Sequence, residues 1–134
     1  MKDTSRPLAA KQTLLLILVP MLATFVLLRL FLHLAGVRHA YPFGHLVHHL
    51  FWGVLLLIPA AFLLAFSTKT PSVAAAARVA VGIGSALALD ELSYLVLTEA
   101  SDSDYVSRVS LYGAVIFISL AVILLLSFYF GHRD

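Results

Sequence analysis

Long apolar runs separated by short polar breaks set the pattern of this chain. A helix needs roughly 20 apolar residues to cross a hydrocarbon core. Four stretches reach that length: about Gln12 to Ala35, Gly44 to Phe66, Ser72 to Thr98 and Tyr105 to Phe130. The breaks carry turn chemistry. "GVRHAYPF" contains a Gly and a Pro, "STKTPS" places Pro71 behind a capping Thr70, and "EASDSD" offers several acidic or serine caps ahead of Tyr105. Connections this short make neighbouring helices antiparallel. The pattern therefore predicts an all-α membrane protein, a four-transmembrane-helix up-down bundle forming a single domain over residues 1–134. The first run is too long for a signal peptide and no small-x-small cleavage site follows it, so it reads as a retained span.

Pro20 and Pro59 fall inside spans one and two, where each removes a backbone donor and predicts a bend. Span three is built from small residues, "AAAARVAVGIGSALA". In lipid, where apolar burial no longer drives association, small faces let helices approach closely. Span three is thus the expected central helix. Its "GIGS" lies mid-span with no strand before it and does not read as a nucleotide loop.

Composition agrees with lipid as the solvent: 61% of the 134 residues are hydrophobic and 12% are charged. The absence of cysteine excludes disulfides, thiolate metal sites and cysteine nucleophiles. Nine basic and seven acidic residues, scattered along the chain, exclude a nucleic-acid partner. Lys2, Arg6, Lys11, Lys69, Arg78 and Arg133 collect at one predicted end of the bundle. Arg38 and Arg108 share the other with Glu99, Asp102 and Asp104. The positive-inside rule then puts both termini in the cytoplasm, with the loops around His39 and Asp102 facing outward.

Against this apolar background the polar residues within the spans stand out. Counting outward from the turns places Arg29, His33, His45, His48, His49, Asp90, Glu91, Tyr94 and Tyr112 in one slab, one to two helical turns below the outer surface. Buried charges cost about 2.5–3.5 kcal/mol each at mid-helix, so they persist when they pair, bind something or line a wet cavity. In a helix, H-x-x-H-H sets His45 and His49 one turn apart on one face, with His48 beside them. Imidazole and carboxylate donors suit zinc, iron or manganese. His45, His49 and Glu91 are the leading candidate ligands of a Zn or Fe ion, with His48 and Asp90 as further ones. Adjacent helical residues point about 100° apart, so Asp90 and Glu91 cannot both face one small site. The one that does not ligate would orient a histidine or meet Arg29. His33, Arg29, Tyr94 and Tyr112 are the expected supporting residues.

Several functions fit such a site. A single-metal hydrolase of a lipid or small molecule would use a carboxylate base, with Ser93 or Tyr94 nearby. Haem between His33 and His45 or His49 fits less well, because the carboxylates would lie against the macrocycle. A di-metal oxygenase is short of histidines. A metal-free proton or ion translocator, an accessory subunit of a larger membrane complex and a homo-oligomer stay open; a structural network of ion pairs is the plain alternative.

Three stretches, "HLVHHLFWG", "GIGSALALDELSYLVL" and "DYVSRVSLYGAVI", together resemble a family of small prokaryotic membrane proteins without an assigned activity. That family carries HxxHH, LDE and YxSRxS elements. The resemblance covers spans two to four and implies a four-span fold in a prokaryotic cytoplasmic membrane. It draws attention to Tyr105, Ser107, Arg108 and Ser110 at the outer mouth of span four. Arg108 there would hold a lipid phosphate, pair with a carboxylate, or extend to the headgroups.

Overall fold

The structure is a computed structural model that describes residues 5–36, 47–66, 70–99 and 101–131. It contains α1 (Ser5–Ala35), α2 (His49–Phe66), α3 (Pro71–Leu97), a short α4 (Asp102–Tyr105) and α5 (Arg108–Gly131). Four of these, α1, α2, α3 and α5, are long and apolar enough to cross a membrane. The fold is the expected all-α four-helix bundle.

Element boundaries follow local chemistry. α1 starts at Ser5, ahead of the predicted Gln12, because Pro7 is tolerated in a first turn and Ala9, Ala10, Lys11 and Gln12 favour helix. It ends at Gly36, whose φ of 71° is open to glycine at little cost and whose N–H donates to Leu32 O at 3.1 Å. α3 begins with Pro71 at its first turn, one residue before the predicted start.

Two boundaries differ from expectation in ways that shape the site. Val47 and His48 are not helical, and α2 begins only at His49. His45, which the expected one-turn relation pairs with His49, lies outside the described residues. The last span is not one helix from Tyr105. Ser101 and Asp104 form a capping box around α4, with Ser101 Oγ accepting from Asp104 N at 3.3 Å and Asp104 Oδ2 accepting from Ser101 N at 3.2 Å. Ser107 then caps the next helix, its Oγ accepting from Ser110 N at 3.2 Å. Two successive caps break the chain between Tyr105 and Arg108 and turn Tyr105 inward.

α3 is the hub. α1, α2 and α5 each pack on it, while α1 and α5 touch one another more lightly. The small residues explain the arrangement. A methyl built on Gly53 of α2 would stand 2.6 Å from Gly84 O of α3, and one on Gly84 would stand 2.7 Å from Gly53 O. Gly82 meets the backbone of α1 at Ile17, and Gly113 of α5 lies against Ser93. Met21, Ala86 and Ile118 form a buried apolar cluster, flanked by Phe25 and Leu89.

Candidate functional site

One end of the bundle gathers polar side chains from every helix. α1 supplies Arg29, the start of α2 supplies His48 and His49, α3 supplies Asp90 and Glu91, α4 supplies Tyr105 and α5 supplies Ser110. Asp90 and Glu91 are buried, at 0% and 1% exposure, about 10 Å inside the end of α3 at Leu97. At that depth a carboxylate needs partners, and both have them.

Asp90 is held chiefly by Arg29. Arg29 Nε donates to Asp90 Oδ1 at 2.5 Å. The rest of the guanidinium donates to backbone and hydroxyl oxygens: Nη1 to Tyr105 O at 3.2 Å, and Nη2 to Ser110 O at 3.2 Å, Ser110 Oγ at 3.1 Å and Asp90 O at 3.4 Å. One side chain of α1 thus clamps α3, α4 and α5 together. The guanidinium carbon also lies 5.7 Å from the centre of the Tyr105 ring. The second oxygen, Asp90 Oδ2, accepts from the Tyr105 hydroxyl at 3.1 Å and lies 3.2 Å from His49 Nε2. The phenol oxygen is 2.8 and 2.9 Å from the two ring nitrogens of His49. Ring N–H bonds diverge, so only one of these contacts is a hydrogen bond at a time.

Glu91 serves α2. Its Oε1 is in close contact with His48 Nδ1, and its Oε2 accepts the backbone N–H of Leu50 at 2.7 Å. His49 Nδ1 is 3.4 Å from the same Oε2. Leu50 is the second residue of α2, so its N–H is one of those that a helix start leaves unpaired. α2 has no acidic residue in its own first turn. Glu91 supplies that missing cap from the neighbouring helix, with its negative charge at the positive end of the α2 dipole.

An aromatic pair lies on the side of the carboxylates nearer the end of α3. Tyr94 and Tyr105 meet edge to face at 4.7 Å, and His48 lies 6.3 Å from Tyr94. Among the described residues no buried side-chain nitrogen or oxygen lacks a hydrogen-bond partner. The carboxylates are sealed, but their partners are less so: the side chains of Arg29, His49 and His48 are 13%, 20% and 25% exposed.

The residues expected at this depth divide accordingly. Arg29, His48, His49, Asp90 and Glu91 converge, with Tyr94 packed beside His48 and Tyr105. Tyr112 does not join them; it is 61% exposed on the outer face of α5. His33 is exposed on α1 and lines a separate crevice with Arg29. Arg108 is exposed at the first position of α5, and Arg29, not Arg108, pairs with Asp90. Ser93 is turned to α5, donating to Ser110 O at 3.0 Å. Among the described residues no group of three or more His, Asp or Glu side chains is arranged to hold a metal ion. Tyr105 and Ser110 are the members that span counting missed as site residues. Comparison of the chain with protein-family models, curated proteins and solved structures finds no match in any of the three.

Proposed function

We propose that the chain is an integral membrane protein whose Arg29–His48–His49–Asp90–Glu91–Tyr105 cluster exchanges a proton with one side of the membrane. The observation that supports this reading is the pairing of each α2 imidazole with an α3 carboxylate: His49 with Asp90 at 3.2 Å and His48 with Glu91 in closer contact. Two carboxyl groups stand against one permanent cation, Arg29. Net charge inside a membrane is costly. One further proton, held between the imidazoles and the carboxylates, balances the site. Such a proton belongs to the coupled set and not to one residue.

The exposed edges of His48 and His49 give that proton a way in and out. The apolar layer of Met21, Ala86 and Ile118, with Phe25 and Leu89, lies on the far side of the cluster. It offers no relay onward, which favours an exchange site open to one side over a path through the monomer. The excess of basic residues toward the other end supports an outward-facing open side with both termini in the cytoplasm, and the resemblance of spans two to four supports a prokaryotic cytoplasmic membrane. A zinc or iron ion at the same place would stand beside the Arg29 guanidinium and compete with the helix cap on Glu91, which weighs against the metal reading.

The test combines metal analysis with ¹⁵N imidazole spectra of the protein in lipid nanodiscs. The expected result is no stoichiometric metal, and changes at His48 and His49 that are coupled to one another when the pH is varied. The coupling should vanish in Glu91→Gln. Stoichiometric zinc or iron, lost in His49→Ala, would replace the proton reading with a metal centre.

A further inference from the structure

A second feature borders the cluster and shares Arg29 with it. Between α1 and the α4–α5 junction runs a crevice of about 180 Å³, lined by Arg29, Leu32, His33, Val106 and Leu111. Its lining is unlike the rest of the lipid-facing surface. It combines two nitrogen donors with three apolar side chains and contains no carboxylate. Its position is also specific: His33 is in the last turn of α1 and Val106 lies in the break before α5. That is the depth at which a helix end meets lipid headgroups.

The donor count at Arg29 sharpens the point. A guanidinium has five N–H groups. Nε uses its one on Asp90, Nη2 shares its two among Asp90 O and the two oxygens of Ser110, and Nη1 gives one to Tyr105 O. One Nη1 N–H is left without a partner among the described bonds, on a side chain that lines the crevice. Arginine donors beside an imidazole suit a phosphate oxygen better than a neutral group. The volume admits a headgroup fragment and not a large solute. Leu32, Val106 and Leu111 suit the glycerol and upper acyl carbons that follow a lipid phosphate.

From this geometry we infer that the Arg29–His33 crevice binds a phosphate group, carried either by a lipid headgroup or by free phosphate. The inference stands independently of proton exchange at the cluster. It is tested on the full chain in mild detergent, stripped of lipid and then offered phosphatidylglycerol, a diacylglycerol of the same chains, or inorganic phosphate. Bound mass is read by native mass spectrometry. Phosphatidylglycerol should be retained and diacylglycerol should not. His33→Leu should lower retention about tenfold, the loss of one charge-assisted hydrogen bond. Leu111→Trp, which fills the crevice from α5 and replaces no residue of the cluster, should abolish it. Both variants should melt close to the parent, which shows that the fold persists. Binding of inorganic phosphate that displaces the lipid, and is itself lost in Leu111→Trp, assigns the site to free phosphate; lipid binding without such displacement assigns it to the headgroup. Equal retention of the two lipids, or parental retention in both variants, overturns the inference.

Discussion

Around Gly82 and Gly84 the helices of this bundle meet backbone to backbone, whereas around Asp90 and Glu91 they meet through charged side chains. The first region leaves no space for even one methyl group between α2 and α3 at Gly53 and Gly84. The second separates the same helices enough to seat two imidazoles and two carboxylates. The contrast shows two ways to hold helices together where the hydrophobic effect is absent. Close approach gives packing contacts but no chemistry. Ion pairs cost desolvation and add little net stability, yet they place titratable groups at fixed distances. The end of the bundle that spends stability is the end able to act.

Breaking each contact separately ranks their contributions. The largest effect is expected from Arg29→Ala, which leaves Asp90 buried without its cation. A loss of about 3–5 kcal/mol is expected in unfolding from lipid or mild detergent. The double variant Arg29→Met with Asp90→Leu should recover more than half of it, since the cost lies in the unpaired charge. If it recovers none, Arg29 matters mainly through its bonds to Tyr105 and Ser110. Gly84→Leu comes next, at about 1–3 kcal/mol, by forcing α2 away from α3. Fluorescence transfer between labels on α2 and α3 should report the separation, and an unchanged distance would show that the Gly53–Gly84 contact is not what sets the spacing. Tyr105→Phe should be mildest, about 1–2 kcal/mol, because the edge contact to Tyr94 survives and only the hydroxyl's bonds to Asp90 and His49 are lost. It should change the spectrum of His49 more than that of His48.

Depth along the membrane was legible in the sequence, but rotation of the helices was not. Counting from the turns brought Arg29, His48, His49, Asp90 and Glu91 to one level because a helix rises uniformly with residue number. It also brought Tyr112 to that level, and Tyr112 faces away. Helices apolar all round have no stripe to fix which side faces in. The small residues of α3 did reveal the hub, since close approach is their common use in lipid. Tyr105 was missed as a site residue because the last span read as one helix. The signal that would have found it is present as two caps in series, Ser101-x-x-Asp104 and Ser107-x-x-Ser110. The cap that Glu91 provides for α2 was not legible, because it joins residues 41 positions apart across helices.

The most direct test of proton exchange is infrared difference spectroscopy of the protein in lipid as the pH is varied. The account predicts that carboxylate bands change in step with imidazole bands, and that Glu91→Gln removes the Glu91 part while leaving the helical amide signal intact. Carboxylate bands that stay constant while imidazole bands change, or that change identically in Glu91→Gln, would contradict it.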